Sequence, residues 1–243
     1  MLSPLPIPSL FITGTDTGIG KTVVAGAIAN WFSRRGYRTG VCKPMATGCP
    51  MQREGLVSED AEFLATSANS RHALDIICPQ RFAEPLAPSI ASERAHRPIE
   101  WELIDKSLQF MCRESDVMIV EGVGGVMVPL DTRHTVLDLA TWLRVPAVVV
   151  ARPGLGTINH TLLTVSALRN AGVEVAGVVV NRYPTDLVGV AEETNPRAIE
   201  KWGKVRVLCV VPDEKFASPE IPTGIVSAIN QVDWMQFASC KKS

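Results

Sequence analysis

The segment Gly14-Thr15-Asp16-Thr17-Gly18-Ile19-Gly20-Lys21-Thr22 sets glycines, a lysine and a hydroxyl between an apolar run and a helical pattern. Glycines let consecutive backbone N–H groups turn inward around phosphate oxygens, and the N-terminus of the following helix adds a favourable dipole. In that layout Lys21 neutralises β- and γ-phosphate charge, and the Thr22 hydroxyl is placed to ligate Mg²⁺. The strict G-x-x-x-x-G-K-T pattern is not met: Thr15 occupies the place of its first glycine, and Gly14 lies one position earlier. A glycine-rich turn alone need not hold a ligand. The Lys-Thr pair, the strand before it and the helix after it make this one a phosphate loop.

Further along the chain, Lys43-Pro44-Met45-Ala46-Thr47-Gly48 leaves a second apolar run. Taken alone, Lys43 reads equally as a surface lysine at a strand end. Beside a phosphate loop it reads as a second cation at the γ-phosphate. Glu121-Gly122-Val123-Gly124-Gly125 leaves another apolar run. A carboxylate there is the geometric equivalent of the acid that holds Mg²⁺ opposite a phosphate loop, and the glycines allow close backbone approach to a ligand. Asp60, in Ser58-Glu59-Asp60-Ala61, offers a second carboxylate. On these residues alone, favourable placement in the first turn of a helix is the better account of Asp60, with Ser58 as N-cap.

Elements must bring these positions together. Strands are expected over 10–13, 39–43, 117–120, 147–151, 175–181 and 205–211, several of them nearly continuous β-branched runs such as AVVVA and VAGVVVN. Runs without polar alternation suit strands covered on both faces, as in a parallel sheet. Helices are expected over 22–36, 58–68, 100–113, 136–143, 157–172 and, more weakly, 191–202. The proline- and alanine-rich stretch 75–98 interrupts the alternation as an elaborated connection. Alternation of this kind predicts a single-domain α/β fold over 1–243: a doubly wound, mostly parallel sheet with helices on both faces, with 1–8 and 234–243 as peripheral tails. Ligands of such sheets bind outside the carboxyl ends of the strands, where the residues above cluster.

The 243 residues carry 24 Lys+Arg against 25 Asp+Glu and are 46% hydrophobic. That excludes a disordered chain and gives no charge signature for a nucleic-acid or membrane partner. The six cysteines show no C-x-x-C spacing. They are expected as free thiols in a reducing compartment. The N-terminus has neither a basic n-region nor a long apolar stretch, so a cytoplasmic protein is expected.

Together, in this order, these segments closely resemble the dethiobiotin synthetase family. The resemblance rests on GTDTGIGKT (14–22), KPMATG (43–48), SEDA (58–61), PLAP (85–88) and EGVGG (121–125). It continues into VPL (128–130), GLGTINH (154–160) and VN (180–181), covering roughly 10–215. The displaced glycine of the loop is the family's own pattern, and the fold it implies is that of the P-loop NTPases. The activity it implies is ATP-dependent carboxylation of 7,8-diaminopelargonate with CO₂ or bicarbonate and closure of a cyclic urea.

Carried over by position, the resemblance makes Lys43 catalytic, with Lys21 and Thr17. Thr22, Asp60 and Glu121 become Mg²⁺ ligands, which replaces the capping account of Asp60. Gly18, Ile19, Gly20, Lys21, Thr22, Val123, Gly124, Asn181, Arg182, Pro212 and Asp213 are expected around ATP. Thr47, Leu155, Gly156 and Asn159 are expected at the substrate, the last three at a homodimer interface. For His160 a structural role is favoured over proton transfer. Arg182-Tyr183-Pro184 and the 192–203 stretch depart from the family, and residues closing the substrate site are expected there. A partition-type ATPase switch would need a lysine where Asp16 stands, and an amidating synthase would need an appended glutaminase domain.

Overall fold

The structure, a computed structural model, describes residues 1–215 and 220–238. The chain runs β1 (Ser9–Gly14), α1 (Lys21–Ser33), β2 (Thr39–Cys42), β3 (Met45–Ala46), β4 (Met51–Gln52), β5 (Gly55–Leu56), α2 (Glu59–Ser67) and α3 (Leu74–Ile77). It continues through β6 (Gln80–Arg81), α4 (Pro88–Arg94), α5 (Trp101–Glu114), β7 (Val117–Glu121), α6 (Val136–Leu143) and β8 (Ala147–Ala151). Last come α7 (Thr157–Asn170), β9 (Val175–Tyr183), α8 (Val190–Gly203), β10 (Val207–Pro212), α9 (Thr223–Asn230) and α10 (Met235–Ala238).

Six strands form one sheet in the order β10-β9-β8-β1-β7-β2, and every pairing in it is parallel. The apolar runs of β1, β7 and β8 are buried along their full lengths, as strands covered on both faces must be. One helical group packs α1 against α2 and α9; another packs α7 against α6 and α8. This is the expected doubly wound α/β fold.

The order has a consequence for function. The chain leaves β1 for β2, returns with β7 between them, and then crosses to β8 on the other side of β1. The loop after β1 therefore sits at the switch point, between the loops that follow β7 and β8, where open α/β sheets leave a crevice.

Close packing of α1 on α2 fixes the acidic wall of that crevice. A Cβ at Gly26 would run into the Phe63 ring and come within 2.8 Å of Ser67 Oγ. Glycine at that position lets α2 lie close, and Ser58 caps α2 by accepting the Ala61 N–H at 3.3 Å.

Several boundaries differ from expectation. The helix expected over 22–36 ends at Ser33, and Gly36 lies two residues beyond the cap residue Arg34 with φ +85°. The connection 75–98 contains α4, opened by Pro88 in its first turn, and β6, which pairs with β3. Within the segments expected as peripheral tails, Leu2 and Leu5 are buried, and Trp234 is fully buried with its indole N–H donated to Ile229 O at 3.0 Å. Burying an indole removes a large apolar area from water, which is why this segment folds back on the core. Residues 239–243 lie outside the described residues. Among the described residues Cys42, Cys49, Cys78, Cys112 and Cys209 are buried and form no disulfide, and Cys240 lies outside the described residues.

Candidate active site

The loop after β1 enters α1 through two glycines in the left-handed region, Gly18 (φ +71°) and Gly20 (φ +84°). A side chain at Gly20 would be strained by its φ and would also collide with Asn181 Nδ2. Asn181, near the end of β9, donates that same Nδ2 hydrogen to Ile19 O at 2.8 Å. The amide thereby ties the loop to a strand two places away in the sheet. Lys21 opens α1 and folds back so that Nζ donates to Asp16 O at 2.6 Å. Burial lowers its pKa to about 8, against the pull of Glu121 in the opposite direction.

Lys43, one residue past β2, is 4% exposed. Its Nζ lies 2.6 Å from Glu121 Oε1 and 2.8 Å from Asp60 Oδ2. Burial opposes its charge, but Glu121 and Asp60 outweigh burial and hold its pKa above the ordinary lysine value, so Lys43 is an ammonium. Burial works against the Asp60 carboxylate as well. There the Lys43 charge prevails and the pKa falls below the usual range. For Glu121 burial is the strongest influence and raises the carboxyl, while Lys43 pulls it down.

Thr22 Oγ1 lies 2.9 Å from Asp60 Oδ1 and 2.8 Å from Glu121 Oε1. A hydroxyl has one proton and cannot donate to both carboxylates at once. Glu121 Oε2 is buried with no partner. Two carboxylates and a hydroxyl with too few donors among them form an all-oxygen set suited to a hard divalent cation such as Mg²⁺.

A cavity of about 340 Å³ is lined by Thr17, Gly18, Gly20, Lys21, Thr22, Lys43, Thr47, Asp60, Glu121, Val123, Gly124 and Arg182, with Val23 and Ala46. A neighbouring one of about 400 Å³ is lined by Asn181, Arg182, Pro212 and Asp213, with Val23, Glu214, Lys215 and Ile225. Arg182 borders both and takes φ +59°, unusual for a side-chain-bearing residue. The first cavity brings together lysines, carboxylates, hydroxyls and glycine backbone; the second sets Arg182 and Lys215 beside Asp213 and Glu214 and shares Val23 and Arg182 with the first.

Leu155, Gly156 and Asn159 line neither cavity. They stand exposed at the start of α7, Leu155 at 92%, with Gly156 as its left-handed cap residue. His160 is exposed beside them.

A fold and loop of this kind define a P-loop nucleotide-binding protein. Solved structures agree at the level of fold. A ParA family ATPase from Chlorobium tepidum superposes with TM-score 0.55 over 95% of this chain and 98% of its own, at 13% identity. The MinC:MinD cell division complex of Aquifex aeolicus gives 0.52 over 85% and 81%, at 14% identity. The family model described as an AAA domain matches residues 8–220.

Sequence relatives narrow the class. The chain is 38% identical to the ATP-dependent dethiobiotin synthetase BioD of Thermodesulfovibrio yellowstonii, over 83% of this chain and 87% of that protein. It is 40% identical to the same-named protein of Methanocaldococcus jannaschii, over 83% and 92%. The chain belongs to the dethiobiotin synthetase family.

Proposed function

We infer that this protein is an ATP-dependent dethiobiotin synthetase, an enzyme that joins CO₂ to 7,8-diaminopelargonate and closes a cyclic urea. The observation that carries the reading is Lys43. A generic phosphate loop works with one lysine, and here a second, buried ammonium stands in the same cavity, 2.6 Å from Glu121. Such a group suits a reaction in which a second anion must meet the γ-phosphate.

The chemistry proceeds in three stages. One amine of the substrate adds to CO₂ and loses a proton, giving a carbamate. A carbamate oxygen then attacks the γ-phosphorus and ADP departs. The second amine finally attacks the carbamoyl carbon of the mixed anhydride, phosphate departs, and the ring closes. Phosphoryl transfer asks the protein chiefly for positioning and charge stabilisation. The N–H groups of 18–22 and the Lys21 ammonium bind the β- and γ-phosphates. Lys43, with the hydroxyls of Thr17 and Thr47, holds the carbamate against the γ-phosphate. Thr22, Asp60 and Glu121 would hold Mg²⁺, which when bound neutralises charge on the phosphate oxygens. Val123 and Gly124 bring backbone close to the phosphates, and Asn181, Arg182, Pro212 and Asp213 face the base.

Leu155, Gly156 and Asn159 take the substrate carboxylate at the free N–H groups opening α7. Because they stand apart from the phosphate cavity within one chain, the reading includes a homodimer in which a second copy presents them. Among the described residues no helix is long and apolar enough to cross a membrane. The test is phosphate release from Mg-ATP with and without 7,8-diaminopelargonate and bicarbonate, with the cyclic urea followed by mass. Release that depends on both co-substrates and matches urea formation is expected. Nucleotide binding without such release would overturn the substrate.

A further inference from the structure

A contact between the phosphate loop and the turn that opens α7 has no part in the chemistry above. Arg152 follows β8 directly, and its Nη2 forms an ion pair with Asp16 Oδ2. The other carboxylate oxygen of Asp16 accepts the Thr17 N–H at 2.7 Å, and its main-chain carbonyl accepts Lys21 Nζ at 2.6 Å. Asp16 thus orders the entrance of the loop, and Arg152 is the side chain that reaches it from another strand. The turn carrying Arg152 is anchored from behind: Asn195, buried on α8, donates to Pro153 O at 2.7 Å and to Gly154 O at 3.2 Å. Thr15 N–H donates to Val150 O at 3.0 Å, so the two loops leave the sheet side by side.

Asp16 places an acidic side chain within a loop shaped for anions, and that side chain is 49% exposed. Left uncovered, that carboxylate would repel an incoming triphosphate and could turn toward the loop N–H groups in its place. The Arg152 guanidinium stands directly against it.

We propose that Arg152 is a positioning residue for nucleotide binding: it covers the Asp16 carboxylate and keeps that charge away from the incoming phosphates. The proposal rests on the reading that the loop holds a triphosphate, and it needs no assumption about the amine substrate. Arg152→Met keeps the aliphatic stem and removes the charge. Asp16→Asn keeps the Oδ1 acceptor for the Thr17 N–H and removes the charge on the other side.

The test is calorimetric titration with a non-hydrolysable Mg-ATP analogue, using wild type, Arg152→Met, Arg152→Lys, Asp16→Asn and the double variant Asp16→Asn/Arg152→Met. Arg152→Met is expected to weaken binding about tenfold, a loss that shrinks at high salt. Arg152→Lys falls between it and wild type. Asp16→Asn alone does not weaken binding, and adding it to Arg152→Met recovers most of the loss. In steady-state turnover the effect appears in KM for ATP, with kcat at saturation little changed, because Lys43 is untouched. Wild-type affinity in Arg152→Met, or a double variant no better than Arg152→Met, would overturn the proposal. Failure of the diamine to turn over in wild type would instead defeat the synthetase reading and leave this titration standing.

Discussion

Replacing Lys43 by methionine tests the charge arrangement at the centre of the site. The ammonium is 4% exposed and lies 2.6 Å from Glu121, itself 1% exposed. Asp60 is the other partner, but its side chain is 43% exposed and water takes over its solvation. The variant therefore leaves one uncompensated buried carboxylate, Glu121. Breaking a buried pair in this way costs about 3–5 kcal/mol. The Thr22 hydroxyl, 2.8 Å away, remains as a neutral donor. It offsets about 1 kcal/mol, which leaves a loss of about 3 kcal/mol. For a chain of this size that is a fall in Tm of about 6–12 °C.

The assay is thermal unfolding in a metal-free buffer containing a chelator. Adding Glu121→Gln to Lys43→Met removes the stranded charge and is expected to recover most of the loss, while turnover stays abolished in both. Mg²⁺ added without nucleotide should raise the Tm of Lys43→Met more than that of wild type, because the carboxylates no longer have the lysine as a competitor. A Lys43→Met protein that melts with wild type in chelator, or a double variant less stable than Lys43→Met alone, would refute the reasoning.

Other outcomes follow from the same geometry. Glu121→Gln should raise the Mg²⁺ concentration needed for half-maximal turnover, read from a metal titration at fixed ATP. Gly20→Ala, at φ +84° and in collision with Asn181, should lose measurable binding of an ATP analogue. Burial works against the Asp131 carboxylate, but hydrogen bonds from His134, the Arg133 N–H and Trp101 prevail and lower its pKa to about 2. A depressed carboxyl contributes stability that is fully present above the unfolded value of about 3.9. That contribution is lost as pH falls through about 2. Asp131→Asn should therefore cost about 1 kcal/mol at neutral pH, after allowance for solvent screening, and the two melting curves should converge in acid.

Much of this architecture is written locally. AVVVA at 147–151 and the apolar run of β7 have no polar alternation, and a segment of that kind has no stable place except inside a two-sided layer. The phosphate loop is equally local, since glycine, lysine and hydroxyl act within nine consecutive positions. Other features were not legible because they are made by pairing across distance. The strands β3 and β6 are two residues each and have no period to detect. Trp234 sits in a segment of mixed polarity, and it becomes core only by packing with residues distant in the chain. Asp60 reads from its neighbours as a first-turn acid; its role emerges when Gly26 lets α2 come close enough to reach Lys43. The Arg152–Asp16 pair joins two loops with no spacing rule between them.

The site is also a statement about folding order. Thr22 meets Glu121 across 99 positions, and Asn181 meets Ile19 across 162. The middle strand of the sheet comes first in the chain, so its neighbours are synthesised long after it. Contacts of such span pay their loop-closure entropy before returning any stabilisation. A chain that has formed only β1 and α1 still lacks the walls of the phosphate cavity supplied by Lys43, Asp60, Glu121, Gly124 and Arg182. The complete cavity therefore depends on segments spread from Thr17 to Arg182, and it exists only where the sheet around β1 has closed.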